Sequence, residues 1–203
     1  MPDFSDFLEV QTRTPWGRTL SDFAFFCAPS TGSVALDVGC GPGLLPALLA
    51  GQGCRTVGVD LDLALLSAGL TAGLAQADAG CLPFPAGTFD LITATNVLFL
   101  LDDPAAILME WLRVAGRTGT LCLLNPSQLL SVEAATALAD QRGLEGAARR
   151  SLLGWARNAQ AHARWTEGET RALLQASGWT LSESVLKVGP GFARFARAHP
   201  QRT

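Results

Sequence analysis

The residues best suited to chemistry lie in a glycine-rich loop and at an acidic position that follows it. The loop is Asp37-Val38-Gly39-Cys40-Gly41-Pro42-Gly43, directly after an apolar stretch, and Asp60 ends the next apolar stretch. Glycines let the backbone turn sharply and let a ligand approach without a Cβ in the way. A carboxylate at the tip of a second parallel strand lies beside such a loop and can accept hydrogen bonds from both ribose hydroxyls. The combination predicts a site for a nucleoside-type ligand rather than a simple tight turn.

The glycine spacing indicates which nucleoside to expect. The dinucleotide motif G-x-G-x-x-G needs its third glycine at position 44, but that residue is Leu44 and the loop reads G-x-G-x-G. Pro42 also removes one N–H from the loop, which weakens it as a pyrophosphate cradle. We therefore expect a ligand without phosphates, and a nicotinamide-dependent oxidoreductase is the less favoured alternative.

A parallel sheet is needed to bring these residues together, and the rest of the chain predicts one. Strands alternate with helices, which is typical of right-handed βαβ crossovers. The final segments flank Gly189-Pro190-Gly191, a connection suited to an antiparallel hairpin. We predict an α/β fold, a Rossmann-like, doubly wound and mostly parallel seven-stranded sheet with a C-terminal antiparallel hairpin. The predicted strands are Val34–Val38, Thr56–Val59, Leu74–Ala77, Phe89–Thr95, Thr120–Leu124, Thr180–Val188 and Phe192–Ala198, and the predicted helices are Leu20–Ala28, Leu44–Gly51, Leu61–Gly73, Pro104–Val114 and Thr166–Ser177.

Length and composition predict one domain over residues 1–203. The chain is 48% hydrophobic and only 16% charged, which is the composition of a protein with a large buried core. Residues 1–32 are expected to form an N-terminal helical cap segment, and residues 131–164 a helical insertion without a strand signal. The insertion is either a mobile lid over a substrate pocket or a permanently packed layer. Its helices are expected to contain Gly143, Gly146 and Gly154, which weaken a helix and offer hinge points.

Charge and cysteine usage narrow the choice of partners and compartment. A net charge of −3 argues against a broad nucleic-acid footprint, which needs a clustered basic surface. The start of the chain has no basic region followed by an apolar stretch, and no apolar segment is long enough to span a bilayer. The five cysteines are never spaced as C-x-x-C, so no metal site or disulfide framework is implied. We expect a cytoplasmic protein that acts on a small molecule; its oligomeric state is left open.

The segment Val34–Gly43 resembles the first motif of class I S-adenosylmethionine-dependent methyltransferases, and the resemblance continues over about residues 33–124. It is most similar to the ubiquinone/menaquinone-biosynthesis-like, type 11 methyltransferases, which mostly act on small molecules. The resemblance implies S-adenosyl-L-methionine as the cofactor, Asp60 as the ribose-binding acid, and Asp78 as acceptor for the adenine amine. Arg18, beside Trp16, would pair with the methionyl carboxylate, unless it is simply solvated. The implied cofactor-binding residues are Arg18, Asp37, Gly39, Cys40, Gly41, Gly43, Asp60, Leu61, Asp78, Ala79 and Asn96.

No catalytic residue is assigned by the resemblance. A sulfonium-activated methyl group needs mainly a positioned nucleophile, and a general base only when that nucleophile arrives protonated. His162 in the insertion is the candidate base, ahead of His199, although either is more often a surface histidine. Asp102 and Asp103 precede Pro104, where a helix cap is the simpler interpretation. The alternatives left open are a cofactor-binding regulatory protein without turnover and a methyltransferase acting on tRNA or protein.

Overall fold

The computed structural model of the chain describes residues 14–67 and 69–202, which form a seven-stranded sheet with helices on both faces. Within those ranges, no helix combines the length and the apolar character needed to cross a membrane. The strands are β1 (Val34–Val38), β2 (Arg55–Asp60), β3 (Leu74–Gln76), β4 (Leu91–Thr95), β5 (Thr120–Pro126), β6 (Trp179–Lys187) and β7 (Ala193–Pro200). The helices are α1 (Pro15–Cys27), α2 (Leu44–Gly51), α3 (Leu63–Ser67), α4 (Pro104–Ala115), α5 (Val132–Gln141), α6 (Gly146–Ala161) and α7 (Glu167–Ala176), with a 3-10 helix at Leu98–Leu100.

The order of the strands creates a crevice at one edge of the sheet. The order is β3-β2-β1-β4-β5-β7-β6. Strands β1 to β5 pair in parallel, and β7 lies antiparallel between β5 and β6. The order reverses between β1 and β4, and ligands of such sheets bind outside the carboxyl ends of the strands at that point. The predicted fold class, including the C-terminal hairpin, is confirmed.

Each face of the sheet is covered by its own helices. On one face α4 and α7 pack over β5, and Trp111 and Trp179 are fully buried there. On the other face α1 and α2 cover β1 and β5, where Phe23 and Leu49 are also fully buried. Burial of both faces explains why the central parallel strands β1, β4 and β5 are mostly apolar rather than alternating.

The helical insertion forms a third layer with a core of its own. Helices α5 and α6 bury Ala135, Ala156 and Ala159 against Phe192, the residue that precedes the hairpin strand β7. A Cβ added at Gly189 in the hairpin turn would lie 2.6 Å from the Leu138 side chain, so α5 packs closely on that turn. The segment also begins and ends at one place, because the residues on either side of it, 127 and 165, form an isolated parallel β-bridge.

Helix α1 begins earlier than predicted. The sequence predicts a helix over Leu20–Ala28, but the helix starts at Pro15. Thr14 is the N-cap, and its Oγ1 accepts the Trp16 N–H at 3.2 Å. Proline suits the first helical position because its missing N–H would have no helical partner there. Trp16 and Arg18 therefore lie in the first turn of this helix.

Helix α3 is much shorter than the predicted span Leu61–Gly73. It covers only Leu63–Ser67, and none of its residues is buried. A short helix needs tertiary packing to persist, and without it the chain turns at Gly69, whose N–H donates to Leu66 O at 3.0 Å.

The expected positions of the insertion glycines were also wrong in part. Gly143 lies between α5 and α6, and Gly146 is the first residue of α6; both have positive φ angles, 59° and 54°. Of the three glycines, Gly154 alone lies in the interior of a helix. The first two therefore form the turn that reverses the chain, because glycine adopts positive φ without a steric penalty.

Candidate functional site

The glycine loop between β1 and α2 is held in place by its own hydrogen bonds. Pro42 has no N–H, and every other N–H of residues 39–43 is donated to a protein oxygen. The donors are Gly39 and Cys40 to Val59 O at 2.8 and 3.0 Å, Gly41 to Asp60 Oδ2 at 2.8 Å, and Gly43 to Cys40 O at 3.0 Å. A phosphate cradle needs free N–H groups that point at the ligand. This loop offers none, which agrees with the expectation of a ligand without phosphates.

The loop conformation requires glycine. Gly39, Gly41 and Gly43 have φ angles of 70°, 53° and 87°, a region that L side chains rarely adopt. Gly39 also lies against the segment that follows β4, since a Cβ there would be only 2.1 Å from a methyl carbon of Val97. The loop is thus fitted closely between β2 and the end of β4.

Asp60 lies at the end of β2 and holds the loop directly. Its Oδ2 accepts the Gly41 N–H at 2.8 Å, and its Oδ1 accepts the Asp62 N–H at 2.9 Å. Each carboxylate oxygen can accept more than one hydrogen bond, so both remain able to accept from a ligand hydroxyl. The next residue, Leu61, is 69% exposed and presents apolar surface beside the carboxylate. Asp60 therefore has a structural part in the loop in addition to the predicted ribose contact.

The third strand leads into a short loop that is anchored to α4. Asp78 is exposed, and its Oδ1 accepts the Gly80 N–H at 2.8 Å. The carbonyl of Ala79 accepts the indole N–H of Trp111 at 3.0 Å, and Trp111 is fully buried. The segment predicted to face the adenine is therefore held by a rigid contact to the core.

Asp37 is buried behind the loop rather than on its surface. It is 2% exposed, and its Oδ1 accepts the Thr93 hydroxyl at 2.7 Å. Burial raises the pKa of Asp37 to about 7; the hydrogen bond from Thr93 acts in the opposite direction, and the charge of Asp60 adds to the increase. Near neutral pH this carboxyl group is consequently poised between its two protonation states, and a cation bound at the loop would favour the charged form.

Cys40 is also buried, and burial raises the pKa of its thiol above the usual range. Its side chain packs against β2, because a Cβ added at Gly58 would lie 2.8 Å from its Sγ. Any part that Cys40 takes in a ligand site therefore comes from its backbone, with the thiol neutral.

Asn96, just after β4, connects the crevice to the helical layer. It has a positive φ of 57°, which asparagine tolerates better than most residues. Its Oδ1 accepts the Trp155 indole N–H from α6 at 3.0 Å. The Trp155 ring in turn contacts the Trp16 ring of α1, with centroids 5.7 Å apart. The cap segment and the insertion thus meet at the end of β4, while Arg18, in the first turn of α1, is exposed.

The two histidines lie at opposite edges of the sheet. His162 follows α6, is exposed, and contacts the Phe99 ring beyond β4 with centroids 6.3 Å apart. Its Nδ1 lies 2.9 Å from the Asn158 carbonyl oxygen; since a carbonyl only accepts, Nδ1 carries the proton and Nε2 is left as an acceptor. His199 instead lies 3.4 Å from the hydroxyl of Thr120, at the start of β5 and away from the crevice.

The capping interpretation of Asp103 is confirmed. Its Oδ1 accepts the Ala106 N–H at 3.0 Å, and Pro104 occupies the first position of α4. Asp102 is exposed beside it. Neither carboxylate is needed as a base to explain its position.

Sequence reasoning did not single out several residues that shape the site. Thr93 holds Asp37, Trp111 holds the loop after β3, and Trp155 holds Asn96. The role of Thr93 could have been inferred from the sequence, because it is a polar residue in an otherwise apolar predicted strand. The tryptophan contacts join positions 32 and 59 residues apart, and no local pattern indicates them.

Comparison with known proteins places this geometry in a family context. Residues 36–123 match the family model described as a methyltransferase domain. The ubiquinone biosynthesis O-methyltransferase of Methylococcus capsulatus is 35% identical over 99 residues, which cover 44% of this chain and 42% of that protein. The aklanonic acid methyltransferase DauC of a Streptomyces strain is 31% identical over 134 residues, 60% of this chain and 59% of that protein. The chain thus spans about half the length of these curated relatives.

A solved structure extends the fold similarity to nearly the whole chain. Magnesium protoporphyrin IX methyltransferase from Synechocystis PCC 6803, with bound SAH, superposes with a TM-score of 0.68 at 18% identity. The superposition covers 96% of this chain and 88% of that one. At this identity the likeness establishes the fold alone.

Proposed function

Because the chain belongs to the class I S-adenosylmethionine-dependent methyltransferases, we propose that it transfers a methyl group from S-adenosyl-L-methionine to a small-molecule acceptor. The observation that carries the proposal is the glycine loop with its N–H groups fully engaged and the Asp60 carboxylate fixed beside it. Such a loop suits a nucleoside without phosphates and disfavours a dinucleotide.

The residues at the crevice fit this cofactor. Asp60 accepts the two ribose hydroxyls through lone pairs that Gly41 and Asp62 leave free. Leu61 supplies an exposed apolar surface for the adenine, and Asp78 accepts from its amine. Asp37 provides negative charge behind the loop that favours the cationic end of the ligand, and Arg18 pairs with the methionyl carboxylate.

When bound, the cofactor supplies a methyl group already activated by a sulfonium charge, so the protein mainly has to position the acceptor and exclude water. The helical insertion, α5 and α6, forms the roof of the site in this proposal: Trp155 of α6 reaches the end of β4 through Asn96, and Trp16 packs against Trp155. The apolar segment after β4, in which Leu100 is 43% exposed, favours an acceptor with apolar surface. The curated relatives named for ubiquinone and aklanonic acid metabolism support a small-molecule acceptor of this kind.

An acceptor that arrives protonated needs a base, and His162 is the residue we propose for it. Its Nδ1 is occupied by the Asn158 carbonyl, so its Nε2 can take a proton. His162 also borders the segment after β4 through Phe99. Replacement of His162 by glutamine should lower turnover without changing cofactor affinity.

Isothermal titration calorimetry tests the cofactor assignment. We expect micromolar binding of S-adenosylmethionine and S-adenosylhomocysteine, about −8 kcal/mol, and far weaker binding of NAD. Asp60→Asn should weaken binding at least about 100-fold, because charge-assisted hydrogen bonds contribute about 1.5–3 kcal/mol each. Asp62→Asn is the matched control, since Asp62 Oδ1 accepts the Ala64 N–H at 2.9 Å and has no part in the proposed ribose contact. Normal binding by the Asp60 variant would show the ribose assignment to be wrong.

Turnover requires its own experiment. S-adenosylmethionine with an isotopically labelled methyl group, incubated with the protein and a small-molecule extract, should transfer label to at least one compound detected by mass spectrometry. Cofactor binding without any labelled product would favour the regulatory alternative.

A further inference from the structure

Arg194, at the start of β7, is a buried cation whose ion pair is long and shared with a second arginine. Its side chain is 6% exposed, and it donates to Ser184 Oγ at 2.6 Å and to Gln128 Oε1 at 3.2 Å. The Glu167 carboxylate lies 3.6 Å away, is half exposed, and is closer to Arg171, at 2.9 Å. Burial lowers the pKa of Arg194, with Glu167 acting in the opposite direction. A buried charge is costly unless it is paired and fully hydrogen-bonded, and here the pairing is incomplete.

A second unpartnered polar group lies next to it. Asn125, at the end of β5, is the direct register partner of Arg194, so both side chains project from the same face of the sheet. Asn125 is 6% exposed. Within the described residues, Asn125 Oδ1 and Arg194 Nε are buried and have no hydrogen-bond partner. Such groups are rare in folded proteins and call for a partner that is not part of the chain.

Asn125 and Arg194 both line a small cavity. Its volume is about 10 Å³, and Trp165 and Thr170 contribute to its wall. This is room for one water-sized group. It therefore accepts a single oxygen atom, and any larger molecule that supplies this atom has to extend outward past Trp165 and the exposed Gln128.

The cavity lies within reach of the proposed methyl-transfer site. Asn125 ends β5, and Arg194 begins β7, so both are at the edge of the sheet that also carries Asn96 after β4. Neighbouring strands are about 4.8 Å apart, so the step from β4 across β5 to β7 is about 10 Å. A small acceptor molecule spans that distance.

We propose that Arg194 and Asn125 form a subsite for one carboxylate, or a similar anionic group, of the methyl acceptor. The identity of the ligand, a methyl acceptor, rests on the proposed function, whereas the binding chemistry is argued from Arg194 and Asn125 themselves. The guanidinium donates through Nε to one carboxylate oxygen, and the Asn125 amide, rotated about its terminal torsion, donates to the same oxygen. Glu167 stays with Arg171.

Benzoate and its neutral isostere benzamide test the subsite at constant ionic strength, with binding measured by calorimetry and thermal shift. Benzoate should bind the parent protein saturably in the millimolar range and benzamide should not. Arg194→Met should weaken benzoate binding at least about tenfold. Arg142→Met, which removes the same charge from an exposed position between α5 and α6, should leave benzoate binding unchanged.

Asn125→Asp covers the case in which Arg194→Met fails to fold. The new carboxylate supplies the missing counter-charge inside the chain, so the variant should melt at a higher temperature than the parent and no longer bind benzoate. Binding of benzoate by this variant, or the absence of saturable benzoate binding by the parent because the cavity holds only water, would overturn the proposal. Titration of the same proteins with S-adenosylhomocysteine separates the two conclusions: cofactor binding without benzoate binding refutes the subsite alone, and the reverse refutes the proposed function alone.

Discussion

The buried carboxyl group of Asp37 should make the stability of the protein fall as the pH rises toward neutrality. Its pKa is raised from an ordinary 3.8 to about 7 by burial. Between these values the folded state keeps a proton that the unfolded state has lost, so the free energy of unfolding decreases with pH. Below about pH 4 both states are protonated and above about pH 7 both are ionised, so the effect is confined to this window. At about 1.4 kcal/mol for each pH unit, the full loss is roughly 4 kcal/mol.

Asp37→Asn removes the titrating group and keeps an oxygen that can accept the Thr93 hydroxyl. Urea unfolding of the parent and the variant, in the absence of ligand and at intervals from pH 5 to pH 8, measures the effect. The stability of the variant relative to the parent should increase by about 3 kcal/mol across this range.

Asp102→Asn, which changes the same chemical group on an exposed loop, is the control and should not alter the pH dependence. Parallel stability profiles for the parent and Asp37→Asn would refute the reasoning, because they would mean that Asp37 is ionised in both states throughout. A decrease in the relative stability of the variant with rising pH would likewise contradict the reasoning, because it would mean that folding lowers the pKa of Asp37.

Other predictions concern the loop and the roof. Gly39→Ala should destabilise the protein by about 1–3 kcal/mol in urea unfolding, because its Cβ would lie 2.1 Å from a methyl carbon of the segment after β4. Gly32→Ala, at a positive φ with open space around it, isolates the backbone cost and should be milder; equal losses would contradict the proposed clash. Trp155→Phe removes the donor to Asn96 and should weaken S-adenosylhomocysteine binding about 3- to 10-fold by calorimetry, whereas unchanged affinity would separate that hydrogen bond from the ligand site. Residues 131–164 should exchange amide hydrogens quickly in the free protein and slowly with cofactor and acceptor bound, and protection equal to that of the core strands without ligand would exclude a mobile lid.

The sequence predicts correctly those parts of the structure that are determined by residues close together in the chain. The βα unit around the glycine loop could be predicted because glycine at positive φ and a carboxylate at a strand end leave direct marks in the sequence. The cap at Asp103 followed from an acid before a proline for the same reason. Helix α3 was overestimated because a run of leucines suggests a helix, whereas its persistence depends on packing that this edge of the sheet does not provide.

The remaining features depend on contacts between distant segments. The alternation in the last strand predicts a strand, but only the pairing of Asn125 with Arg194 reveals that an arginine faces the core. In the same way, nothing near Asn96 indicates that its side chain is held by a tryptophan 59 residues away. These contacts are set by register and topology, which one-dimensional periodicity does not encode.

The bridge between Ser127 and Trp165 brings the two ends of the helical insertion to one place on the sheet. Because the chain leaves the sheet and returns to it at adjacent points, the intervening segment can grow, shrink or be replaced without stretching the strands that hold the cofactor loop. The entropic cost of a longer closed segment rises only slowly with its length. Exchange of residues 128–164 for the corresponding segment of a relative is therefore a practical route to a new acceptor preference on an unchanged cofactor platform.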